Sequence, residues 1–472
     1  MKNWCQRLHS SSFICTLWVA LCFFVTSAVY LSWVNRLLFL TGNTATDWLS
    51  LVVGYLFQAA GAGIAILLLC RNPYTDFRRF YTPAVLLLAA VSVPSLLGVT
   101  PTGVVFFGFM MNLLCGNIAG FYLYAIVRIA NASHLSLVFG GGYAISTTAV
   151  GLLALIGKGN LLHSGYALLI YISLSVMIVL ITSRLNLFHI EAEEMTVSSQ
   201  KPAVVMPGKD LVQVCIVVIL LSTVKNLGFG FPSADIEAGL IPELSRIPYA
   251  IGLTVAGLIN DKKRKNGMFC TIAALIIPFI MLDLTSESLP STICWCLDYL
   301  FFGFFSVFRT VLFLDIARQT RHWEWAPLGL LMGRLGDMAG TGINLLLANH
   351  RLVLISVTAL LFFPTVFLFL RLYLKFYEPE VVTQRSEQEV FETFCLHNDL
   401  SSREREVFRM VISDCSNREI AEALFVTEST VKYHVRNVLQ KTGCKNRSEL
   451  KKKYTVALYP QIRQQEKNSL RI

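Results

Sequence analysis

The 472-residue sequence predicts an all-α protein, in which a polytopic bundle of twelve helices (six plus six) precedes a module of four shorter helices. Apolar runs of eighteen or more residues recur along the first 375 residues. Each run is long enough to cross a bilayer core of roughly 30 Å as a helix. The longest polar break, residues 188–210, divides these runs into two sets of six, and residues 399–472 change to a polar pattern with helical spacing.

The composition separates this chain from soluble proteins. Its apolar fraction is 54% and its charged fraction is 15%, respectively above and far below the values of soluble proteins. Residues 396–472 hold fifteen Lys and Arg against nine Asp and Glu, and so supply about +6 of the net charge of +10. A basic polar module on an apolar body suggests nucleic acid or anionic headgroups as partners.

The twelve cysteines are scattered, mostly inside apolar runs. Only Cys294 and Cys296 are closely spaced, and no second pair at zinc-site spacing accompanies them. We therefore expect buried cysteines that act as small hydrophobic side chains, no metal site and no cofactor. The sequence shows no nucleophile–base set either, so we do not expect an enzyme.

Apolar runs between charged or Gly/Pro breaks predict twelve spans. The eighth and the eleventh are the least apolar. The twelve centres lie near Cys22, Ala59, Leu88, Leu114, Ala144, Ser175, Ile219, Thr254, Ile276, Phe304, Gly336 and Leu361. The first run, residues 13–34, exceeds the apolar region of a signal peptide, so we expect it to be retained as a span.

Lys and Arg in the short loops predict the orientation. With the N-terminus inside, fifteen of them fall in inward loops and only Arg36, Lys158 and Arg351 fall in outward loops. This bias predicts a multi-pass protein of the cell inner (plasma) membrane with both termini in the cytoplasm.

The loop after the eighth span reads Gly257-Leu-Ile-Asn-Asp261-Lys-Lys-Arg-Lys265. It resembles the G-x-x-x-D-R/K-x-G-R-R loop of the major facilitator superfamily, and the loop after the second span, Asp76-Phe-Arg-Arg79, is a degenerate version of it. Six plus six spans around a central polar break also resemble that superfamily. The resemblance covers most of the first 375 residues.

Charged residues inside spans are costly in lipid and usually face a cavity or a partner. Arg334 and Asp337 are three residues apart and can pair on one helix. Arg309 and Lys225 have no acid nearby in sequence, so each meets either an anionic ligand or an acid on another helix. These four are the candidate ligand-binding residues. Glu243, Arg246 and Asp315 are the other charges within spans, and the alternative is that all seven form structural pairs or lie at span ends.

Four helices are predicted between residues 401 and 456. The first begins at Ser401 or Ser402, and its apolar side chains recur at helical spacing at Val407, Phe408, Val411 and Ile412. The second runs from about Asn417 to Leu424. The third has Thr427 as its N-cap, with Val431, Val435, Val438 and Leu439 along one side. This order predicts a helix-turn-helix.

The opposite side of the third helix carries Ser429, Lys432, Tyr433 and Arg436. A recognition helix buries its apolar side and presents such residues to a DNA groove. Lys432 and Arg436 can donate to guanine, while Tyr433 offers packing and one hydrogen bond. Ser429 and Thr430 lie near the helix start, where they can donate to phosphates beside free backbone N–H groups.

Residues Leu400 to Leu450 resemble the LuxR-type helix-turn-helix shared with response regulators of the NarL class. The motifs are L-S-x-R-E-x-E-V, S-N-R-E-I-A, T-V-K-x-H-V and K-N-R-S-E-L. The resemblance implies that Lys432, Tyr433 and Arg436 face base edges, and that the fourth helix, from Ser448, forms a dimer contact. It also implies a structural pair between Glu404 and Arg447.

Two residues depart from that family's pattern. Asp414 stands where the family usually has Gly, and Asp tolerates left-handed geometry better than most residues. Thr442 replaces the usual Leu, which is a small loss of core. Neither change removes DNA binding.

The sequence therefore predicts three regions: a membrane domain (residues 1–375, the body), a linker (376–398) and a DNA-binding domain (399–472, the head). Pro379 is expected to end the last span, and Gln384 to Leu396 are expected to form a short helix with Val390, Phe391 and Phe394 as its apolar residues. Fully extended, the linker reaches roughly 80 Å at most.

The leading hypothesis is a membrane-bound one-component regulator of transcription. Its expected partners are double-stranded promoter DNA, membrane lipid, a small-molecule ligand held in the bundle, and a second copy of the chain when bound to DNA. No receiver domain or nucleotide-binding loop is apparent, which leaves the body as the sensor; the fusion resembles a class of one-component regulators with twelve-span bodies. The alternatives are a transporter with a regulatory DNA-binding tail, and a body that only anchors the head.

Overall fold

The computed structural model describes residues 2–42, 44–72, 76–130, 134–156, 165–184, 206–235, 246–280, 288–347, 349–377 and 391–458. Within these ranges every regular element is a helix. The chain forms two compact units, residues 1–372 and 373–472. The boundaries predicted at 375 and 398 stay a prediction.

Twelve helices are described before residue 378, and each contains one of the twelve predicted span centres, which confirms the predicted fold class. They are α1 (Lys2–Thr41), α2 (Thr44–Arg71), α3 (Arg78–Leu97), α4 (Pro101–Ile129), α5 (Leu135–Ile156), α6 (Gly165–Arg184), α7 (Gly208–Asp235), α8 (Arg246–Lys262), α9 (Arg264–Ile280), α10 (Ser288–Thr320), α11 (Leu328–Leu347) and α12 (Arg351–Tyr377). A short 3₁₀ turn, Trp323–Trp325, lies between α10 and α11.

Eight of the described helices, α1 to α5, α7, α10 and α12, are long and apolar enough to cross a membrane. Helices α6 and α9 hold shorter apolar segments. Helices α8 and α11 belong to neither group, as the sequence anticipated for the eighth and eleventh spans. Helix α8 has only 17 residues, and α11 is long enough at 20 residues but is not apolar enough. Both are packed against helices of the opposite half, so less of their surface needs to be apolar enough for lipid.

The two halves repeat one packing scheme, in which each helix of the first half has a counterpart six helices later. Helix α1 packs on α5 as α7 packs on α11, and α2 packs on α4 as α8 packs on α10. The halves meet where α2 packs on α11 and where α5 packs on α8. These two contacts are also counterparts, because each joins a second to a fifth helix.

Glycines allow the closest of these crossings. A Cβ added at Gly61 on α2 would lie 1.9 Å from the Leu113 carbonyl oxygen on α4. At the matching crossing in the second half, a Cβ at Gly252 on α8 would lie 2.0 Å from the Leu300 carbonyl oxygen on α10. Backbones approach this closely only through small residues, as is common between membrane helices.

The loop between α8 and α9 ties three helices together. Asp261 accepts hydrogen bonds of 2.9 Å from the backbone N–H groups of Ser136 and Leu137, where α5 begins. A carboxylate is favoured there because the start of a helix carries partial positive charge. Arg264 forms a bidentate salt bridge with Asp315 on α10, with hydrogen bonds of 2.7 and 2.9 Å.

The degenerate loop of the first half makes no such connection in the described residues. Asp76 accepts hydrogen bonds from the backbone and the side chain of Arg78, two positions away. Both partners lie at the start of α3, so their contact joins no second helix. The charged residues of the motif after α8 therefore connect the two halves. The charged contact described for the degenerate motif stays within its own loop, although its Phe77 packs on Phe121 and Tyr124 of α4.

Four helices are described between residues 399 and 458 of the head: α13 (Ser402–Ile412), α14 (Asn417–Leu424), α15 (Glu428–Thr442) and α16 (Arg447–Leu458). Capping boxes begin α13 and α14, where Ser401 pairs with Glu404 and Ser416 with Glu419. Residues 391–397, which lie in the predicted linker, are also helical. Their apolar side chains join the core of the head.

The predicted pair between Glu404 and Arg447 is wrong. Glu404 accepts hydrogen bonds from the Lys441 ammonium at 2.7 Å and from the Ser401 backbone N–H at 2.8 Å. Arg447 instead donates to the Cys415 carbonyl at 2.8 Å and to the Asn417 side chain. Glu404 is therefore bound at the start of its own helix and by Lys441, whereas Arg447 binds the turn between α13 and α14.

Both departures from the family pattern are accommodated. Asp414 adopts the left-handed backbone conformation at φ 62°, as expected for a residue that replaces glycine. Thr442 is buried, and its hydroxyl donates to the Val438 carbonyl at 2.7 Å. This hydrogen bond satisfies the hydroxyl that stands in place of an apolar side chain.

Candidate functional site

Helix α15 has two chemically distinct sides. Val431, Val435 and Val438 are buried in the head. The opposite side exposes Lys432 and Arg436, together with a Tyr433 ring that is 62% exposed. These three exposed side chains are therefore available to an external partner. The valines on the other side pack into the apolar core of the head.

Three hydroxyl groups gather at the beginning of α15. The side-chain oxygen of the N-cap residue Thr427 accepts a hydrogen bond from the Thr430 backbone N–H at 3.3 Å. It also contacts the hydroxyl oxygens of Ser429 at 2.8 Å and Thr430 at 2.9 Å. Helix starts with free N–H groups and hydroxyl donors bind anions such as phosphate well.

The frame behind α15 is fixed by polar contacts. Arg403 on α13 donates to the Leu424 carbonyl at the end of α14, at 2.8 Å. Burial alone would raise the pKa of Glu404, but the hydrogen bonds from Lys441 and Ser401 outweigh it and hold that pKa below its usual value. The Ser416 backbone N–H likewise lowers the pKa of Glu419. Both caps are therefore firmly ionised near neutral pH.

Sequence reasoning missed Phe425, in the turn between α14 and α15. Its side chain is 96% exposed and its backbone is left-handed at φ 52°. The sequence did contain an indication of this exposure. Phe425 lies two residues before Thr427, the N-cap of α15, in a turn where its ring does not reach the apolar core.

The four candidate ligand residues of the body lie on three helices of its second half. Arg309 on α10 and Arg334 on α11 each donate to the carboxylate of Asp337, at 3.0 Å. Asn226 on α7 adds a third hydrogen bond of 2.7 Å to the same carboxylate. The pair expected from the spacing of Arg334 and Asp337 is thus present, and Arg309 meets an acid on another helix.

Small residues make room for this arrangement. A Cβ at Gly333 on α11 would lie 2.9 Å from the Arg309 guanidinium, so the glycine leaves the space that the guanidinium fills. Arg309 also donates to the Ser222 hydroxyl on α7 at 3.0 Å. Helices α7, α10 and α11 are therefore joined through one buried polar network.

Lys225 on α7 lies beside this network and is only 2% exposed. Its ammonium nitrogen is 3.2 Å from the centroid of the Phe302 ring on α10. Tyr249 on α8 stacks on the same Phe302 ring, with centroids 5.0 Å apart and an interplanar angle of 11°. The lysine is thus held against an aromatic wall built by two helices.

Asp298 is the charged residue of the body that sequence reasoning missed. It is fully buried on α10, and among the described residues neither of its carboxylate oxygens has a hydrogen-bond partner. The signal was available, because a lone acid within the apolar run Cys296-Leu-Asp-Tyr299 meets the criterion that selected the other charges.

The polar network reaches the first half of the body through aromatic contacts. The Arg334 guanidinium lies 5.3 Å from the ring centroid of Tyr55 on α2. Tyr143 on α5 meets Tyr249 on α8 edge-on, at 5.6 Å. The first contact lies where α2 packs on α11, and the second lies where α5 packs on α8. A change in the position of the network would therefore alter contacts with the first half.

Two further sequence candidates lie elsewhere: Arg246 begins α8, and Asp315 pairs with Arg264. The third, Glu243, lies outside the described residues. Among the residues that the structure describes, no three His, Cys, Asp or Glu side chains are grouped as metal ligands would be.

Comparison with known proteins agrees with both sequence resemblances. Residues 398–453 match the family described as bacterial regulatory proteins, luxR family. Over 50 residues the chain is 48% identical to the spore germination protein GerE of Bacillus subtilis, a match that covers 11% of this chain and 68% of GerE. Over 52 residues it is 42% identical to the nitrate/nitrite response regulator protein NarL of Escherichia coli, covering 11% and 24%.

The match to the transcriptional regulatory protein DegU of Brevibacillus brevis is 46% over 50 residues and covers 11% of this chain and 21% of DegU. The chain thus spans two thirds of GerE but less than a quarter of DegU or NarL.

A solved structure resembles most of the chain. The crystal structure of the human organic anion transporter MFSD10 (TETRAN) aligns with a TM-score of 0.53 and 13% identity, and the alignment covers 77% of this chain and 99% of that one. At this identity the likeness concerns the fold. It agrees with the twelve-helix fold expected from the six-plus-six topology.

Proposed function

Since the chain belongs to the luxR family of bacterial regulatory proteins, we propose that it is a membrane-bound one-component regulator of transcription. Its head binds promoter DNA, and its body senses a small molecule. The observation that carries the proposal is the division of α15 into a buried valine side and an exposed side with Lys432, Tyr433 and Arg436.

In this proposal the exposed side of α15 enters the major groove. Lys432 and Arg436 donate to base edges and Tyr433 packs beside them. Ser429 and Thr430 donate to phosphates at the start of the helix. Two heads paired through α16 read half-sites about 34 Å apart, one turn of DNA.

The test is selection of random DNA duplexes by the full chain in lipid nanodiscs, followed by affinity measurements on the selected sequence. Lys432→Ala combined with Arg436→Ala is expected to weaken binding by about 100-fold, because each base contact is worth roughly 1–3 kcal/mol. Lys445→Ala, compared with each of the two single changes, is the charge-matched control, since Lys445 is exposed beyond the far end of α15. Equal effects of the two changes would reject the assigned DNA face.

The sensed molecule is proposed to carry an anionic group. Arg309 and Arg334 share the single carboxylate of Asp337, so an incoming acid can compete for their N–H donors. Lys225 adds a third cation beside them. A ligand that accepts hydrogen bonds from Arg309 or Arg334 in place of Asp337 would weaken the contacts of α11 with α7 and α10. The body would then shift between two states.

Thermal shift across a panel of small carboxylates and their uncharged amides tests the anion requirement. A carboxylate that binds only the native body should raise its melting temperature, and its amide should not. Arg309→Gln should remove the shift. Stabilisation by the amide as strong as by the acid would contradict an anion-binding role.

We further propose that the chain lies in the cell inner membrane with both termini in the cytoplasm, because the head must reach the chromosome. The excess of Lys and Arg in inward loops supports this orientation. Alkaline phosphatase fused after Lys158 should be active, and the same enzyme fused after Lys262 should be inactive. The opposite result would reject the orientation.

The second candidate function is transport with a regulatory DNA-binding tail. The observation in its favour is the fold likeness to a protein described as an organic anion transporter. Uptake of the stabilising carboxylate into vesicles, abolished by Arg309→Gln, would favour transport. Binding without uptake would leave the sensor as the function of the body.

A further inference from the structure

Residues 391–397, the first described residues after 377, are helical and pack against two helices of the head. We name residues 391–397 the strap. Phe391 and Phe394 both stack on Phe408 of α13, with centroids 5.4 and 5.2 Å apart and interplanar angles of 13° and 16°. Tyr454 of α16 meets Phe391, Phe394 and Phe408 edge-on, at 6.2, 5.4 and 5.4 Å.

Charged contacts add to this aromatic cluster. Arg405 on α13 donates to the Glu392 carboxylate at 3.1 Å. The Arg409 guanidinium lies 4.6 Å from the centroid of the Phe391 ring. The Arg405–Glu392 pair is solvent-accessible, and such pairs contribute little free energy and break readily. Arg409 also lies 4.0 Å from the Glu392 carboxylate, while the Phe391 ring that it covers is 5% exposed. The strap is thus held by an aromatic cluster and three charged contacts.

The position of α16 depends on the strap. Tyr454 is the aromatic residue by which α16 joins the cluster. Two of its three ring partners belong to the strap, and the third, Phe408, contacts the strap directly. In sequence the strap is nearer to α12 than any other described helix of the head is, so a movement of the last body helix would reach it before those helices. The fourth helix is also the proposed dimer contact.

We propose that the strap is a releasable regulatory element: docked, it fixes α16 for DNA binding, and its release lowers the affinity of the full chain for DNA. This inference rests on the proposed function. Docking and DNA binding are then coupled, so each stabilises the other to the same extent.

Two native cysteines distinguish a releasable strap from a permanent part of the core. Cys395 lies in the strap and is 0% exposed, and Cys444 lies between α15 and α16 and is 8% exposed. Burial raises the pKa of the Cys395 thiol to about 11, so this thiol reacts only when the strap leaves its seat. Cys444 remains covered by the core when the strap alone is released.

The experiment uses the full chain in lipid nanodiscs, in two versions that retain only Cys395 or only Cys444. Local release predicts that N-ethylmaleimide labels Cys395 about tenfold faster than Cys444. The duplex selected for binding should slow labelling of Cys395 several-fold and leave Cys444 unchanged. Glu392→Gln, which removes the Arg405 partner without disturbing the rings, should speed labelling of Cys395 alone and weaken DNA binding.

Equal labelling rates for the two cysteines, or a Cys395 rate that DNA does not alter, would overturn the proposal and make the strap a permanent part of the core. Failure of the proposed function is separate, because it would appear as no selectable duplex. The ratio of the two labelling rates would still report on strap release without DNA, and a ratio near one would reject it.

Discussion

Arg309 on α10 and Asp337 on α11 form a 3.0 Å ion pair whose side chains are only 11% and 8% exposed. The same carboxylate accepts from Arg334 and from Asn226. One acid therefore compensates two guanidinium groups where the surroundings are largely apolar. Since α7, α10 and α11 all contribute to the network, its strength sets how firmly the second half of the body holds together.

Replacement of Asp337 by Asn should strongly destabilise the body. It leaves Arg309 and Arg334 without their shared counter-charge, and removal of one partner from a buried pair costs about 3–5 kcal/mol. The measurement is the apparent melting temperature in detergent. Asp76→Asn is the matched control: its pair with Arg78 is far more exposed and should contribute less than about 1 kcal/mol. Similar decreases in melting temperature for both variants would show that the buried network contributes no more to stability than an exposed ion pair.

Replacement of Asp261 by Asn should loosen the start of α5. The carboxylate accepts from the backbone N–H groups of Ser136 and Leu137, and hydrogen bonds to charged groups contribute about 1.5–3 kcal/mol. Hydrogen exchange at these two amides should therefore accelerate by about tenfold or more. Asp76→Asn should leave them unchanged. Unaltered exchange in the Asp261 variant would mean that the loop does not hold the two halves together.

The arrangement of the body could be predicted from hydrophobicity and loop composition. All twelve predicted centres fall within separate helices, and even the weak apolarity of α8 and α11 was visible. Which helices pack together was not predictable, because the crossings depend on single glycines such as Gly61 and Gly252. A glycine in sequence does not indicate which backbone it approaches.

The candidate sites were predictable to different degrees. For α15, helical spacing separates Val431 and Val435 from Lys432 and Arg436, so exposure follows from sequence alone. For the body, only the local pair of Arg334 and Asp337 followed from spacing, while the bond between Arg309 and Asp337 joins two helices. The pair of Glu404 and Lys441 was not predicted, because it joins two helices whose distance depends on how they pack.

Acid should weaken the head through Glu404. Its folded pKa lies below the ordinary value of 4.5, so its contribution to stability is complete above that pH and is lost as the pH falls through the folded pKa. Glu404→Gln should therefore unfold at lower urea than the native head at pH 7, and the difference should shrink toward pH 3. Circular dichroism of residues 391–472 during urea titration measures this. A difference that stays constant with pH would exclude the ionised carboxylate as its cause.

The exposed side of α15 should separate into base-reading and phosphate-binding residues. If Arg436 reads a base, Arg436→Ala relaxes the preference at one base pair, with a loss of about 1–3 kcal/mol on the selected duplex and little on others. Ser429→Ala should instead weaken all duplexes alike, because a phosphate contact carries no sequence information.

Salt dependence distinguishes these roles independently of base preference. Loss of one cationic phosphate contact reduces the slope of log affinity against log salt by about 0.9. Arg436→Ala should leave the slope nearly unchanged if the guanidinium faces bases, and Ser429→Ala should leave it unchanged because a hydroxyl releases no counterion. A slope reduced by about one unit in Arg436→Ala, with the base preference intact, would reassign Arg436 to the phosphate backbone. The direct readout of DNA would then rest on Lys432 and Tyr433, which share the exposed side of α15.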